Sequence, residues 1–153
     1  MIRNNKEQKG FTIIEVVLVL AIAALIFLMV FIALPALQRG QRDSQRKNDL
    51  SRVQTAIQNY QSNNRNKLPD DASLTSGSFI TSYLTVGGDS FSDPDGTDYS
   101  FKVGTSPSAF VAGEIHFTKK AVCDGETLTT GQGTGKIAFQ YKLEGGGTVC
   151  INN

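Results

Sequence analysis

The chain has 153 residues with 15 Lys and Arg against 14 Asp and Glu, two Cys and one His, which leaves room for one modest domain beside a membrane segment. The near-neutral total hides a division: residues 1–67 hold ten Lys/Arg against four Asp/Glu, and residues 68–153 hold five Lys against ten Asp/Glu. A basic stem therefore precedes an acidic head, and an acidic outer surface disfavours nonspecific binding to phosphate backbones.

In chain order, a short leader with Arg3, Lys6 and Lys9 ends at Gly10. Phe11 opens an apolar run, Glu15 sits just inside it, and residues 16–37 carry neither a charge nor a hydroxyl. As a helix, residues 11–37 are about 40 Å long, whereas the hydrocarbon core of a bilayer needs only about 20 residues. The run is too long for the apolar region of a secretory signal, and no small-residue cleavage site follows it. A carboxylate within such a span costs up to about 3 kcal/mol to insert and ordinarily has a partner. The plain alternative is a glutamate that reaches the headgroups.

Gly10-Phe11-Thr12-Ile13-Ile14-Glu15 resembles the processing site of type IV prepilins and of the pseudopilins of type II secretion. The apolar helix and small C-terminal head extend that resemblance along the chain. It implies cleavage after Gly10 by a prepilin peptidase on the cytoplasmic side, N-methylation of the new terminus Phe11, and an assembly role for Glu15. Glycine suits a scissile bond because it lets the protease approach the backbone closely. Cleavage gives Phe11 a free amine about 6 Å along the axis from Glu15, so Glu15 is expected to pair with such an amine, on its own chain or an incoming copy. The competing reading is a plain signal anchor. Charge alone leaves the orientation open, because Arg39, Arg42, Arg46 and Lys47 flank the far end of the span as the leader flanks the near one. The resemblance places the head outside the cytoplasm.

Pro35 removes the hydrogen bond to the carbonyl of Phe31, and Gly40 follows five residues later, so the helix is expected to be interrupted or kinked there. In type IV pili the helices melt near a proline at this general depth. The family's usual proline position corresponds to Ile32 in this chain. Beyond it, Leu50, Val53, Ile57 and Tyr60 form one apolar stripe, with Asp49, Arg52, Gln54 and Gln58 on the opposite face. The amphipathic helix, residues 38–67, is expected to end near Asn63, before Pro69.

The head, residues 68–153, begins with a Ser, Thr, Asp and Gly-rich stretch holding a short helix or turn near residues 78–84. Ile137, Phe139, Tyr141 and Leu143 alternate as in a half-buried strand. Phe101 and Val103, Phe110 and Ala112, and Ile115 and Phe117 suggest further strands, and Gly145-Gly146-Gly147 turns into residues 148–152. The expectation is an α+β pilin fold, a long N-terminal helix packed on a small antiparallel β-sheet. Cys123 and Cys150 allow one intramolecular pairing, which an exported head would keep oxidised; two buried free thiols are the alternative.

Other motifs are weaker. Asp93, Asp95 and Asp98 could offer oxygen ligands to calcium, as carboxylates do in some secretion pseudopilins. Asp93-Pro94-Asp95-Gly96 equally suits a type I turn without metal, the favoured reading. Gly131-Gln132-Gly133-Thr134-Gly135 lacks the strand and helix of a phosphate-binding loop and reads as a hairpin loop. His116 reads as a strand residue and Lys119-Lys120 as a solvated turn, a contact with DNA being the alternative. No Walker loop, zinc signature or nucleophile–base pair stands out, so neither an enzyme nor a cofactor is expected.

The functional expectation is a major pilin that forms a helical homopolymer for adhesion, twitching motility or DNA uptake, a membrane precursor first and an extracellular filament afterwards. Its implied partners are the prepilin peptidase, a platform membrane protein and the assembly and retraction ATPases. The alternatives are a pseudopilin of a secretion or competence system and an uncut single-pass receptor or binding protein.

Overall fold

The computed structural model describes residues 10–104 and 111–153; leader residues 1–9 and Phe110 lie outside them. Ile13–Asn63 forms one 51-residue helix, α1. Apart from Glu15, Met29 and Pro35, its residues 13–37 are Leu, Ile, Val, Ala and Phe, and the helix meets the length and hydropathy of a membrane-crossing one. A helix satisfies its own backbone polar groups, which lipid requires. The large apolar side chains of residues 11–37 are exposed, Phe11 at 85% and Phe31 at 74%. Pro35 and Gly40 lie inside the helix, which continues to the expected end at Asn63. One missing N–H is tolerated where Leu34, Ala36 and Leu37, all good helix formers, surround it.

The chain divides into two compact units, Met1–Gln38 and Arg39–Asn153. The second unit therefore contains both the amphipathic half of α1 and the head. Leu50, Val53, Ala56 and Ile57 are buried in one cluster with Leu74, Phe79, Phe91, Tyr99, Ile115, Phe117, Ile137, Phe139 and Tyr141. The apolar stripe expected from the periodicity is this contact, with Tyr60 at its margin. After α1, Arg65 and Asn66 take positive φ values of 54° and 61°, and the Asn66 N–H closes the end on the Gln61 carbonyl at 2.8 Å. The polar stretch that follows holds a six-residue helix, α2 (Asp71–Ser76), that its composition concealed. The Asp70 carboxylate caps it by accepting the Ser73 N–H at 2.7 Å. A π-helical turn, Ile80–Leu84, follows where a short helix was expected.

Among the described residues six strands complete the head: β1 (Ser100–Val103), β2 (Glu114–Lys119), β3 (Ala121–Asp124), β4 (Thr127–Thr130), β5 (Ile137–Lys142) and β6 (Thr148–Asn152). Four form a sheet in the order β1-β2-β5-β6, and β3 pairs with β4. The architecture is the expected α+β one with an antiparallel-rich sheet. One detail departs from an all-antiparallel sheet: β1 and β2 run parallel, Phe101 opposite Ile115. Such a pair cannot close through a tight hairpin. Ala112 lies in the turn entering β2 rather than in a strand.

β5 corrects the half-buried expectation. Ile137, Phe139 and Tyr141 are buried, but so are Ala138 and Gln140. Gln140 donates to the Glu126 carbonyl in the β3–β4 turn at 2.9 Å. The β3–β4 hairpin, tied to β6 by the Cys123–Cys150 disulfide with Cα atoms 5.7 Å apart, thus accompanies the second face of this strand.

Candidate functional site

The first region of interest is the entrance to α1. Gly10 and Phe11 are exposed. The Thr12 hydroxyl accepts the Glu15 N–H at 3.4 Å, and the Glu15 carboxylate accepts the Thr12 N–H and hydroxyl, each at 3.4 Å. These reciprocal bonds are long, but they have the pattern of a capping box, Thr-x-x-Glu. Glu15 therefore turns back toward the chain that enters the helix, the side on which an amine at Phe11 would lie. It also borders an apolar notch of about 270 Å³ with Phe11, Val16, Val19 and Leu20. The sequence pattern Thr12 to Glu15 was visible, although the carboxylate drew attention as an intramembrane charge and a partner for the Phe11 amine rather than as a cap.

The second region lies in the head, and most of it was not foreseen. Arg46, 4% exposed, reaches Asp93 with two nitrogens, at 2.9 Å from Nε and 2.6 Å from Nη2. Its Nη1 also meets Asp43 at 3.0 Å and Glu144 at 3.2 Å. Asp43 accepts the backbone N–H groups of Glu144 and Gly145 at 2.9 and 2.8 Å. Arg42 holds Glu144 with two nitrogens, and the Tyr141 hydroxyl donates to Asp93. Asp49 accepts the Tyr99 hydroxyl at 2.9 Å.

These contacts set the charges. Burial pushes the Asp93 carboxyl up, but Arg46, the Tyr141 hydroxyl and the Asp95 N–H outweigh it and hold the group below its ordinary range. Burial likewise opposes Asp43, and the Gly145 and Glu144 N–H groups with Arg46 bring it down. Hydrogen bonding by Arg42 takes Glu144 down to about 2. For Asp49 burial wins over the Tyr99 bond and moves it up. Burial and Asp93 push the Tyr141 hydroxyl up to about 12. The result is a clamp of charged groups between the helix and the head, continuing the Leu50–Val53–Ile57 face toward the stem.

The Asp93 turn is part of that clamp. The Gly96 N–H closes it on the Asp93 carbonyl at 2.9 Å, and Gly96 has φ 92°, a value that glycine adopts without strain. Asp95 binds the Thr97 N–H and hydroxyl, and Asp98 is exposed. Among the described residues no group of three His, Cys, Asp or Glu side chains is placed to hold a metal. Of the three carboxylates considered for calcium from sequence, Asp93 is committed to Arg46 and Tyr141. His116 lies in β2 with a ring nitrogen 3.1 Å from Glu114. Lys119 is paired with Asp71 at 2.6 Å. In the Gly-rich loop between β4 and β5, the Gly135 carbonyl accepts from Gln61 and Asn153.

Compared with known proteins, residues 5–31 match a family model described as the prokaryotic N-terminal methylation motif. No curated protein and no solved structure matches the chain.

Proposed function

We propose that this chain, a member of the type IV prepilin-like family by its N-terminal methylation motif, is a structural subunit and specifically a major pilin. It is cut after Gly10, methylated on Phe11 and polymerised into a type IV pilus. The apolar helix and the motif fit a membrane-anchored precursor. The single observation behind the rest is the contrast along α1. Residues 11–37 present large apolar side chains on every side, while the helix beyond Asp43 is committed to the head. Such a stem needs lipid before assembly and the stems of other copies afterwards. Small residues such as Ala21, Ala23 and Ala24 permit their close approach.

Repeated heterologous contacts that do not close build a helical filament. In its dry interior an unpaired Glu15 would be costly, so pairing with the Phe11 amine of a neighbour fixes where each copy docks. The peptidase, platform protein and ATPases act on this chain, which carries no reaction of its own. Adhesion, surface motility and DNA uptake are the outputs this reading assigns.

The Asp93–Gly96 turn favours a second reading, a pseudopilin of a secretion or competence machine. Long surface fibres made of this chain separate the two. An uncut receptor is separated from both by intact mass: loss of residues 1–10 with one added methyl group supports assembly, and the precursor mass supports an anchor.

A further inference from the structure

Along α1 the residues Asp43, Arg46, Asp49 and Arg52 alternate in sign every three positions, and the head meets each with a group of matching polarity. Asp43 faces two backbone N–H groups, of Glu144 and Gly145. Arg46 faces the carboxylates of Asp93 and Glu144. Asp49 faces the Tyr99 hydroxyl donor. Arg52 closes the row, 3.8 Å from Asp49 with its guanidinium over the Phe91 ring.

We propose that this row is a register code: Arg46 and its flanking aspartates are positioning residues that fix which turn of α1 the head grips. The apolar stripe cannot do this alone. If the helix slips so that each residue takes the place of the one three before it, Val53 replaces Leu50, Ala56 replaces Val53 and Tyr60 replaces Ile57. Three of the four buried apolar sites stay apolar, and only the Ala56 site receives a polar residue, Asn59. A slip of three in the other sense puts Lys47 into the Leu50 site. A slip of four puts Arg46 or Gln54 there. The forward slip of three is thus the error that the apolar pattern resists least.

The charges resist it most. In the slipped helix Asp49 would face Asp93 and Glu144, Arg46 would face the two N–H donors that bind Asp43, and Arg52 would take the place of Asp49. The Asp43, Arg46 and Asp49 sites would each meet the reverse of their native sign, and the half-exposed Arg52 site would receive the neutral Thr55. Buried ion pairs add little net stability over well-packed apolar groups, but an unpaired buried charge is expensive. That asymmetry suits selection among registers. A slip of three residues displaces the helix by about 4.5 Å along its axis. The consequence for a polymer rests on the subunit role proposed above; the code itself does not.

The test inverts the code in the full chain in detergent micelles, with the disulfide intact: Asp43→Arg, Arg46→Asp, Asp49→Arg and Arg52→Asp, plus Asn59→Ala to suit the Ala56 site. Spin labels attached without cysteine chemistry at Gln58 and Lys102, both exposed, report helix position. The inverted chain satisfies the Asp43, Arg46 and Asp49 sites only when slipped by three, Thr55 then standing at the half-exposed Arg52 site. We expect one narrow distance displaced from the wild-type value by up to about 4.5 Å, and an unfolding midpoint above that of Arg46→Asp alone despite the extra substitutions. An unshifted distance, a midpoint at or below the single variant's, or failure to fold overturns the proposal.

Discussion

Replacing Arg46 by Met removes the cation that compensates Asp93 and leaves a carboxylate that is 2% exposed. Only the Tyr141 hydroxyl and the Asp95 N–H remain to it. Stripping one partner from a buried pair costs about 3–5 kcal/mol, because the other charge stays desolvated. Asp43 suffers less, since it keeps two backbone N–H donors. Adding Asp93→Asn removes the stranded charge, while the amide oxygen still accepts from Tyr141. The double variant should therefore lie within about 1.5 kcal/mol of wild type, the scale of one or two exchanged hydrogen bonds. The chain has no Trp, and Tyr99 and Tyr141 sit in the network. Denaturant titration in micelles, followed by tyrosine fluorescence, reads the head without interference from the stem. A single variant that loses less than about 1 kcal/mol, or a double variant as unstable as the single, would refute the view of Asp93 as a charge that depends on Arg46.

Acid should loosen the same clamp. The folded-state values of Asp93, Asp43 and Glu144 are depressed. Their contribution is therefore full above the ordinary carboxylate range near about 4 and is lost as pH falls through the folded values, toward about 2 for Glu144. Asp49 is raised and works in the opposite sense, in the window just above its ordinary value, so it offsets any loss as pH falls toward about 4, and the midpoint should decline below that as the three depressed groups protonate; a midpoint flat to pH 2 contradicts this. Cys150→Ser opens a disulfide spanning 27 positions, and chain entropy sets the loss at about 3–4 kcal/mol. Calorimetry of the oxidised and mutant heads would show whether the β3–β4 hairpin depends on it, and equal transitions would say that it does not. Glu15→Ala should leave cleavage and methylation intact while abolishing surface filaments, and wild-type filament yield with normal processing would remove Glu15 from assembly.

Much of the architecture was legible because it rests on local periodicity. The unbroken apolar run of residues 16–37, the stripe at Leu50, Val53 and Ile57, and the alternation through β5 each declare a period that the backbone obeys. The clamp was not legible, because Asp43, Arg46 and Asp49 read as solvated charges when polarity alone is counted. Their place at three- and four-residue steps before Leu50 and Val53 was the available signal: they continue the buried face. The parallel β1–β2 pair and the hairpin beside β5 depend on contacts between distant segments, which no local pattern encodes. α2 was hidden for a different reason, since a six-residue helix carries too little periodicity, and only the Asp70 cap marked it.

At the functional end, the Gly10–Glu15 segment was readable as chemistry before any coordinates, whereas the capping arrangement of Thr12 with Glu15 needed the helix start to be placed. The most direct test of the account is the intact mass of this chain from sheared surface material. Residues 11–153 with one N-terminal methyl group, recovered from fibres, is the predicted result. Precursor of full length, confined to the membrane with Phe11 never an N-terminus, would contradict it.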